Sequence, residues 1–129
     1  MSSKTSIFLS GGFKSDWQAK LFERYEGKFQ FYNPREHQIA EPHLYATWDT
    51  HYVRRCDILF AYMEATNPSG FGLMFELGMA YALNKTIILV DERSDVDETF
   101  AKYFKIAHQP SGNVFKSLDE ALQFLDKFI

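Results

Sequence analysis

The sequence predicts a parallel α/β domain: a sheet of about five strands with helices on both faces. Two patterns and one bulk number point to it. Apolar runs of strand length alternate with helical stretches along all 129 residues. Residues 57–63 form an almost continuous apolar run, as a central parallel strand covered on both sides requires. Hydrophobic residues make up 46% of the chain, enough to fill one core in a single domain spanning 1–129.

Each element has its own local justification. Residues 6–10 are a short apolar strand that runs into Gly11 and Gly12. Residues 15–25 carry helical spacing through Trp17, Leu21, Phe22 and Tyr25, with Ser15 or Asp16 able to cap and Gly27 to stop it. Residues 29–32 form a second strand, ended by Asn33 and Pro34. Residues 35–44 read as a polar loop, followed by a helix through Tyr45, Trp48, Tyr52 and Val53. The third strand leads to a loop signalled by Asn67, Pro68, Ser69 and Gly70. A helix follows from Phe71 to Leu83, apolar nearly all round and therefore expected to be mostly buried. Residues 86–90 are the next strand. Residues 91–98 read as a solvated acidic loop with a short helix near Ala101. The stretch 105–114 has no clear period beyond room for a short last strand. Residues 117–128 form an amphipathic helix capped by Ser117, with Glu120 in the first turn.

Bulk properties remove several function classes. The net charge is −3 and the Lys and Arg residues are scattered, which argues against a basic face for nucleic acid. No apolar run approaches the roughly 20 residues of a membrane span, and residues 1–6 lead into a strand without a secretory apolar core. One cysteine, Cys56, allows no internal disulfide and fits a cytoplasmic location. The four histidines (His37, His43, His51 and His108) lack metal-ligand spacing, so no metal and no cofactor is expected. The 13 Phe and 7 Tyr exceed what so small a core hides, leaving aromatic surface for a ligand or a second subunit.

Within the Phe71–Leu83 helix, Glu76 is the only charge. Its neighbours three and four residues away are Gly72, Leu73, Met79 and Ala80. A carboxylate placed there is costly unless it does chemistry or is paired. In a parallel α/β sheet ligands bind beyond the carboxyl ends of the strands. Three loops converge at that rim: Gly11-Gly12-Phe13, residues 33–36, and residues 64–72. The amides and dipole of the helix that starts there are expected to keep Glu76 ionised. A phosphoryl-accepting receiver domain is excluded because Asp57 opens the third strand instead of closing it. A dinucleotide fold is excluded because Gly11-Gly12 supplies only part of the glycine fingerprint.

Trp48-Asp49, Arg55 to Leu59, and Asn67 through Glu76-Leu77-Gly78-Met79-Ala80 together resemble the nucleoside 2-deoxyribosyltransferase family. The opening Ile7-Phe8-Leu9-Ser10-Gly11-Gly12-Phe13 and Asp16-Trp17-Gln18 resemble its first strand and loop. The resemblance covers roughly residues 6–92 and implies a flavodoxin-like domain in a homo-oligomer, with sites near subunit interfaces. It implies Glu76 as nucleophile and Asp49 as a candidate for protonating the leaving base; the residues alone leave Asp49 equally readable as a plain exposed helix position. Phe8 stands where many transferases carry a tyrosine that orients the nucleophile, and Gly70 where they often carry an aspartate against the sugar. Gly11, Gly12, Phe13, Asn67, Ser69, Gly70 and Gly72 are the remaining expected substrate contacts, although 67–72 also reads as a simple turn. Arg35 could lie over the site.

The function expected from this is cleavage of the N-glycosidic bond of a 2′-deoxynucleoside through a covalent glycosyl-Glu76, with transfer of the sugar to another base. The partners would be a nucleoside or nucleotide and a free base. Hydrolysis of a nucleoside 5′-monophosphate is the alternative suggested by Ser69-Gly70 in place of an acid. A non-catalytic nucleotide-binding module is a third, and cleavage of a dinucleotide such as NAD a more remote one.

Overall fold

The computed structural model describes residues 4–129; Met1, Ser2 and Ser3, which open the stretch read as lacking a secretory leader, lie outside them. The chain alternates strictly: β1 (Ser6–Gly11), α1 (Trp17–Arg24), β2 (Gln30–Tyr32), α2 (Pro42–Arg55), β3 (Ile58–Met63), α3 (Phe71–Ala82), β4 (Thr86–Asp91), α4 (Glu98–Ser111), β5 (Asn113–Phe115) and α5 (Leu118–Leu125). The strands lie in the order β2-β1-β3-β4-β5. All four pairings are parallel.

Burial explains why each strand sits where it does. All six residues of β3 are buried, so the run with no polar alternation takes the centre. Alternation along β1 sends Ile7 and Leu9 toward α1 and α5, where Trp17, Leu21 and Leu122 pack. It sends Phe8 to the opposite layer with Val53, Leu73 and Leu77 of α2 and α3. Ser10 follows Phe8 on that face, one step nearer the rim. Because the chain winds outward to β2 and then back past β1 to β3, the switch point falls between β1 and β3. Gly11 pairs with Tyr62, so the two strands end level and their following loops meet.

Two expectations are corrected. The helix near Ala101 is long, not short: after a loop over residues 92–97, α4 runs 14 residues from Glu98 to Ser111 and takes Pro110 into its last turn, leaving the short last strand β5 to begin at Asn113. Its N-cap is Asp97, whose side chain accepts from the Phe100 amide at 3.0 Å. Phe104, Ala107 and Ser111 are its buried residues, a stripe obscured in sequence by Tyr103 and Ile106, each 70% exposed. The helix α3 is only half buried. Leu73, Glu76, Leu77 and Ala80 face inward, whereas Phe71 (81% exposed) and Phe75 (62% exposed) face outward. Among the described residues no helix is long and apolar enough to cross a membrane.

Candidate active site

The α3 helix starts at Gly70, whose left-handed backbone (φ 81°) turns the β3–α3 loop into the helix. A side chain at Gly70 would also collide with the Met63 thioether. One turn and a half later Glu76 points inward and is 8% exposed. Its Oε1 accepts a 2.6 Å hydrogen bond from the Ser10 hydroxyl. No lysine or arginine reaches it among the described residues. Asp49, on α2, is the neighbouring carboxyl whose charge acts on Glu76. Its side chain is only 16% exposed, so it is not a plain surface residue.

The expected helix-dipole effect on Glu76 is overridden. Burial, the largest cause, pushes its carboxyl up to about 8. The Ser10 hydrogen bond opposes this, while the charge of Asp49 and the shared hydrogen bond add to it. Asp49 is raised too, by burial first, against the lowering influence of Glu76 and of the nearby His37. Two neighbouring carboxyls out of water resist ionising together and titrate as a pair. Such a pair can supply a nucleophile or base and an acid.

Two clefts open at this rim; Asp49 lines one of them, and the buried Glu76 lines neither. One, of about 120 Å³, is lined by Gly11, Gly12, Asn67, Ser69, Gly70, Gly72 and Leu73. The other, of about 220 Å³, is lined by Phe13, Pro34, His37, Ile39, Tyr45 and Asp49. Gly72 lies one helical turn from Glu76 and opens the first; Asp49 opens the second. A larger concavity, about 440 Å³ between residues 68–71 and α4, is lined by neither carboxyl.

The rim is held by specific contacts. The Trp17 Nε1–H and the Gln18 amide both donate to the Gly12 carbonyl, at 3.0 and 3.3 Å. Gly11 approaches the sheet so closely that a Cβ there would lie 2.6 Å from the Tyr62 carbonyl oxygen. Asn67 is buried; its Oδ1 accepts from the Ser69 amide at 3.2 Å, so it shapes the loop as well as lining the cleft. The Arg35 guanidinium stands 5.8 Å over the Phe13 ring and donates to the Ser15 carbonyl. Phe13 itself is 51% exposed at the mouth.

The structure thus brings together Glu76, Asp49, Gly11, Gly12, Phe13, Asn67, Ser69, Gly70 and Gly72. It does not bring Phe8 to the site. Phe8 is fully buried between β1 and the α2/α3 layer and offers no surface to a ligand. The hydroxyl that orients Glu76 comes from Ser10, two residues along the same face. Ser10 and His37 are the site residues that sequence reasoning missed. The strand alternation that places Ser10 inward at the rim was the available signal for the first. Cys56 is fully buried, its thiol pushed up to about 11 by burial, which fits packing.

Ser10→Ala should lower kcat at neutral pH by roughly tenfold or more, the loss of one hydrogen bond to a charged group. That bond favours the ionised carboxyl, so its removal shifts the acidic limb of the pH–rate profile to higher pH. A profile measured from pH 5 to 9 checks both.

Comparison with known proteins agrees with this architecture. A family model described as nucleoside 2-deoxyribosyltransferase like matches residues 4–94. A 2-desoxiribosyltransferase from Leishmania mexicana superposes with a TM-score of 0.72 at 18% identity, covering 95% of this chain and 97% of that one. The CMP N-glycosidase BcmB of Clostridium botulinum superposes with a TM-score of 0.66 at 23% identity, covering 97% of this chain and 100% of that one. No curated protein sequence matches significantly. At such identities the superpositions speak for the fold, whereas the sequence model spans well over half of the chain and includes every residue placed at the two clefts. The chain belongs to the nucleoside 2-deoxyribosyltransferase-like family.

Proposed function

We propose that the protein cleaves the N-glycosidic bond of a 2′-deoxynucleoside by double displacement through Glu76. The observation that carries this is the buried Glu76 carboxyl, bonded by Ser10 and neighboured by Asp49, which lines a cleft at the switch point. The base occupies the larger cleft beside Asp49, where Phe13 and Tyr45 offer aromatic surface. The sugar lies over Glu76 and its 5′ end enters the glycine-lined cleft.

In the reactive form the proton of the pair has passed from Glu76 to Asp49, and the ionised Glu76 attacks the anomeric carbon, forming the C–O bond as the C–N bond breaks. An oxocarbenium-like transition state is stabilised by the adjacent anion. The electron pair leaves on the base nitrogen, which takes the proton from Asp49. An incoming base then attacks the glycosyl-enzyme, returning a proton to Asp49 and releasing Glu76.

A second reading, hydrolysis of a nucleoside 5′-monophosphate, is favoured by the start of α3. No side chain caps that helix, no acid stands at position 70, and the glycine-lined cleft opens there. Such an end attracts a phosphate. One experiment separates the readings. The purified protein is incubated with deoxynucleosides and their 5′-monophosphates, with and without an acceptor base, and the products are separated by chromatography. New nucleoside formed only with acceptor supports transfer. Free base with sugar phosphate, formed without acceptor, supports hydrolysis. Binding without product across the panel, NAD included, overturns both and leaves a non-catalytic nucleotide module.

The exposed aromatic face of α3 and the neighbouring Tyr103 and Ile106 of α4 are assigned here to subunit contact. Light scattering should give an oligomer, and Phe75→Glu should shift it to monomer; a monomeric parent protein sinks the assignment.

A further inference from the structure

His37 is held more tightly than a loop residue at a cleft mouth needs to be. The chain leaves β2 at Asn33, makes one 3-10 turn over Pro34–Glu36, and delivers His37 beside Asp49. The Ile39 amide donates to His37 Nδ1 at 2.9 Å. To make that bond the backbone reverses at Gln38, whose φ of 54° is a left-handed conformation that non-glycine residues rarely adopt. The Trp48 ring meets the imidazole edge to face at 4.8 Å. The His37 side chain is 10% exposed.

These contacts fix the tautomer. An Nδ1 that accepts from an amide carries no proton, so the neutral imidazole bears its N–H on Nε2. His37 Nε2 lies 3.3 Å from Asp49 Oδ1. That oxygen is buried and has no aligned hydrogen-bond partner among the described residues. A small rotation of either group supplies one, and catalytic hydrogen bonds are often long before substrate binds.

We infer that His37 is a positioning residue for the proposed reaction, its Nε2 3.3 Å from Asp49 Oδ1 and brought into line with it by a small rotation, which leaves the other Asp49 oxygen to serve the base. This rests on the reading given above for Glu76 and Asp49. When Asp49 gives its proton to the departing base it becomes a carboxylate, and the hydrogen bond from Nε2 strengthens as that charge grows. No proton passes through His37. In the second half-reaction the incoming base or water returns a proton to Asp49 and the contact relaxes. The same imidazole walls the base cleft with Phe13, Ile39 and Tyr45, so it sets the depth to which a base enters.

The test has a spectroscopic arm and a kinetic arm. With ¹⁵N-labelled histidine, His37 should show a protonated Nε2 and a bare Nδ1, and Asp49→Ala should change the Nε2–H signal. The opposite tautomer, or no response to Asp49→Ala, overturns the inference. This arm requires no turnover, so it decides the contact even where no nucleoside or nucleotide proves to be a substrate. Kinetically, His37→Phe should lower kcat by roughly ten- to a hundredfold with KM changed by less than about threefold, the worth of a hydrogen bond to a charge. His37→Gln, which keeps an N–H donor, should recover most of the loss. In an Asp49→Ala background His37→Phe should cost nothing further. An unchanged kcat in folded His37→Phe, or an equal loss with and without Asp49, overturns the inference, and thermal unfolding of each variant identifies a loss of fold.

Discussion

Glu76→Gln should lower kcat/KM for N-glycosidic cleavage by at least about a thousandfold, the scale on which loss of a covalent nucleophile is felt. The variant should remain folded, because the amide is isosteric and its carbonyl can still accept from Ser10. It should also become less sensitive to alkaline pH than the parent. The Glu76 carboxyl is raised by burial from its ordinary 4.5 to about 8. Between those values the folded state holds a proton that the unfolded state has released. Stability therefore falls as pH rises through that window, and above it the fold must bury a charge. A glutamine removes that slope. Urea unfolding at intervals from pH 5 to 9 should show the parent losing stability up to about pH 8 and then levelling, with Glu76→Gln flatter throughout. The two carboxyls titrate as a pair, so the parent kcat/KM should be bell-shaped: one proton must leave to free the nucleophile, and one must stay to serve the leaving base. A Glu76→Gln variant with full activity would leave the double displacement without a nucleophile.

The residues whose meaning is local could be read without coordinates. Glu76 stood out because its helical neighbours are all apolar, and that incongruity requires only the 3.6-residue period. The buried β3 run and the glycines at the strand ends are equally local, and they fixed the rim and the parallel sheet. What stayed hidden depends on distant pairing. Ser10 looks like an ordinary strand end until α3 brings Glu76, 66 residues away in sequence, onto its hydroxyl. The resemblance drew attention to Phe8, whereas packing places Phe8 one step too deep and gives the contact to Ser10. His37 shows no local pattern in sequence, and its partner Asp49 lies on the next helix. The α4 stripe was masked because Tyr103 and Ile106 are apolar yet point outward, the same departure that leaves Phe71 and Phe75 uncovered on α3. Local periodicity reports burial within one chain; it does not distinguish a core face from a surface suited to association.

Trp17→Ala should give the largest stability loss of any single truncation, about 3–5 kcal/mol, as for other fully buried aromatic residues. Trp17 is 1% exposed. Its ring stacks on Phe60 at 6.1 Å and meets Tyr62 edge to face at 5.3 Å, so it fills the space between α1 and the two central strands. Its effect reaches the site through the Nε1–H bond to the Gly12 carbonyl and through Gly11, where a Cβ would stand 3.2 Å from the indole ring. Trp17→Phe isolates the second role. It retains most of the packing, loses the bond to Gly12, and should cost only about 1 kcal/mol plus a small cavity term. The freed Gly11-Gly12 loop should then raise KM several-fold with little change in kcat, because the Glu76–Asp49 pair is held by Ser10 and α2 instead. Urea and thermal unfolding with steady-state kinetics on both variants check this division. A Trp17→Phe variant with unaltered KM would show that the loop is set by the Gly11 backbone and Gln18 alone.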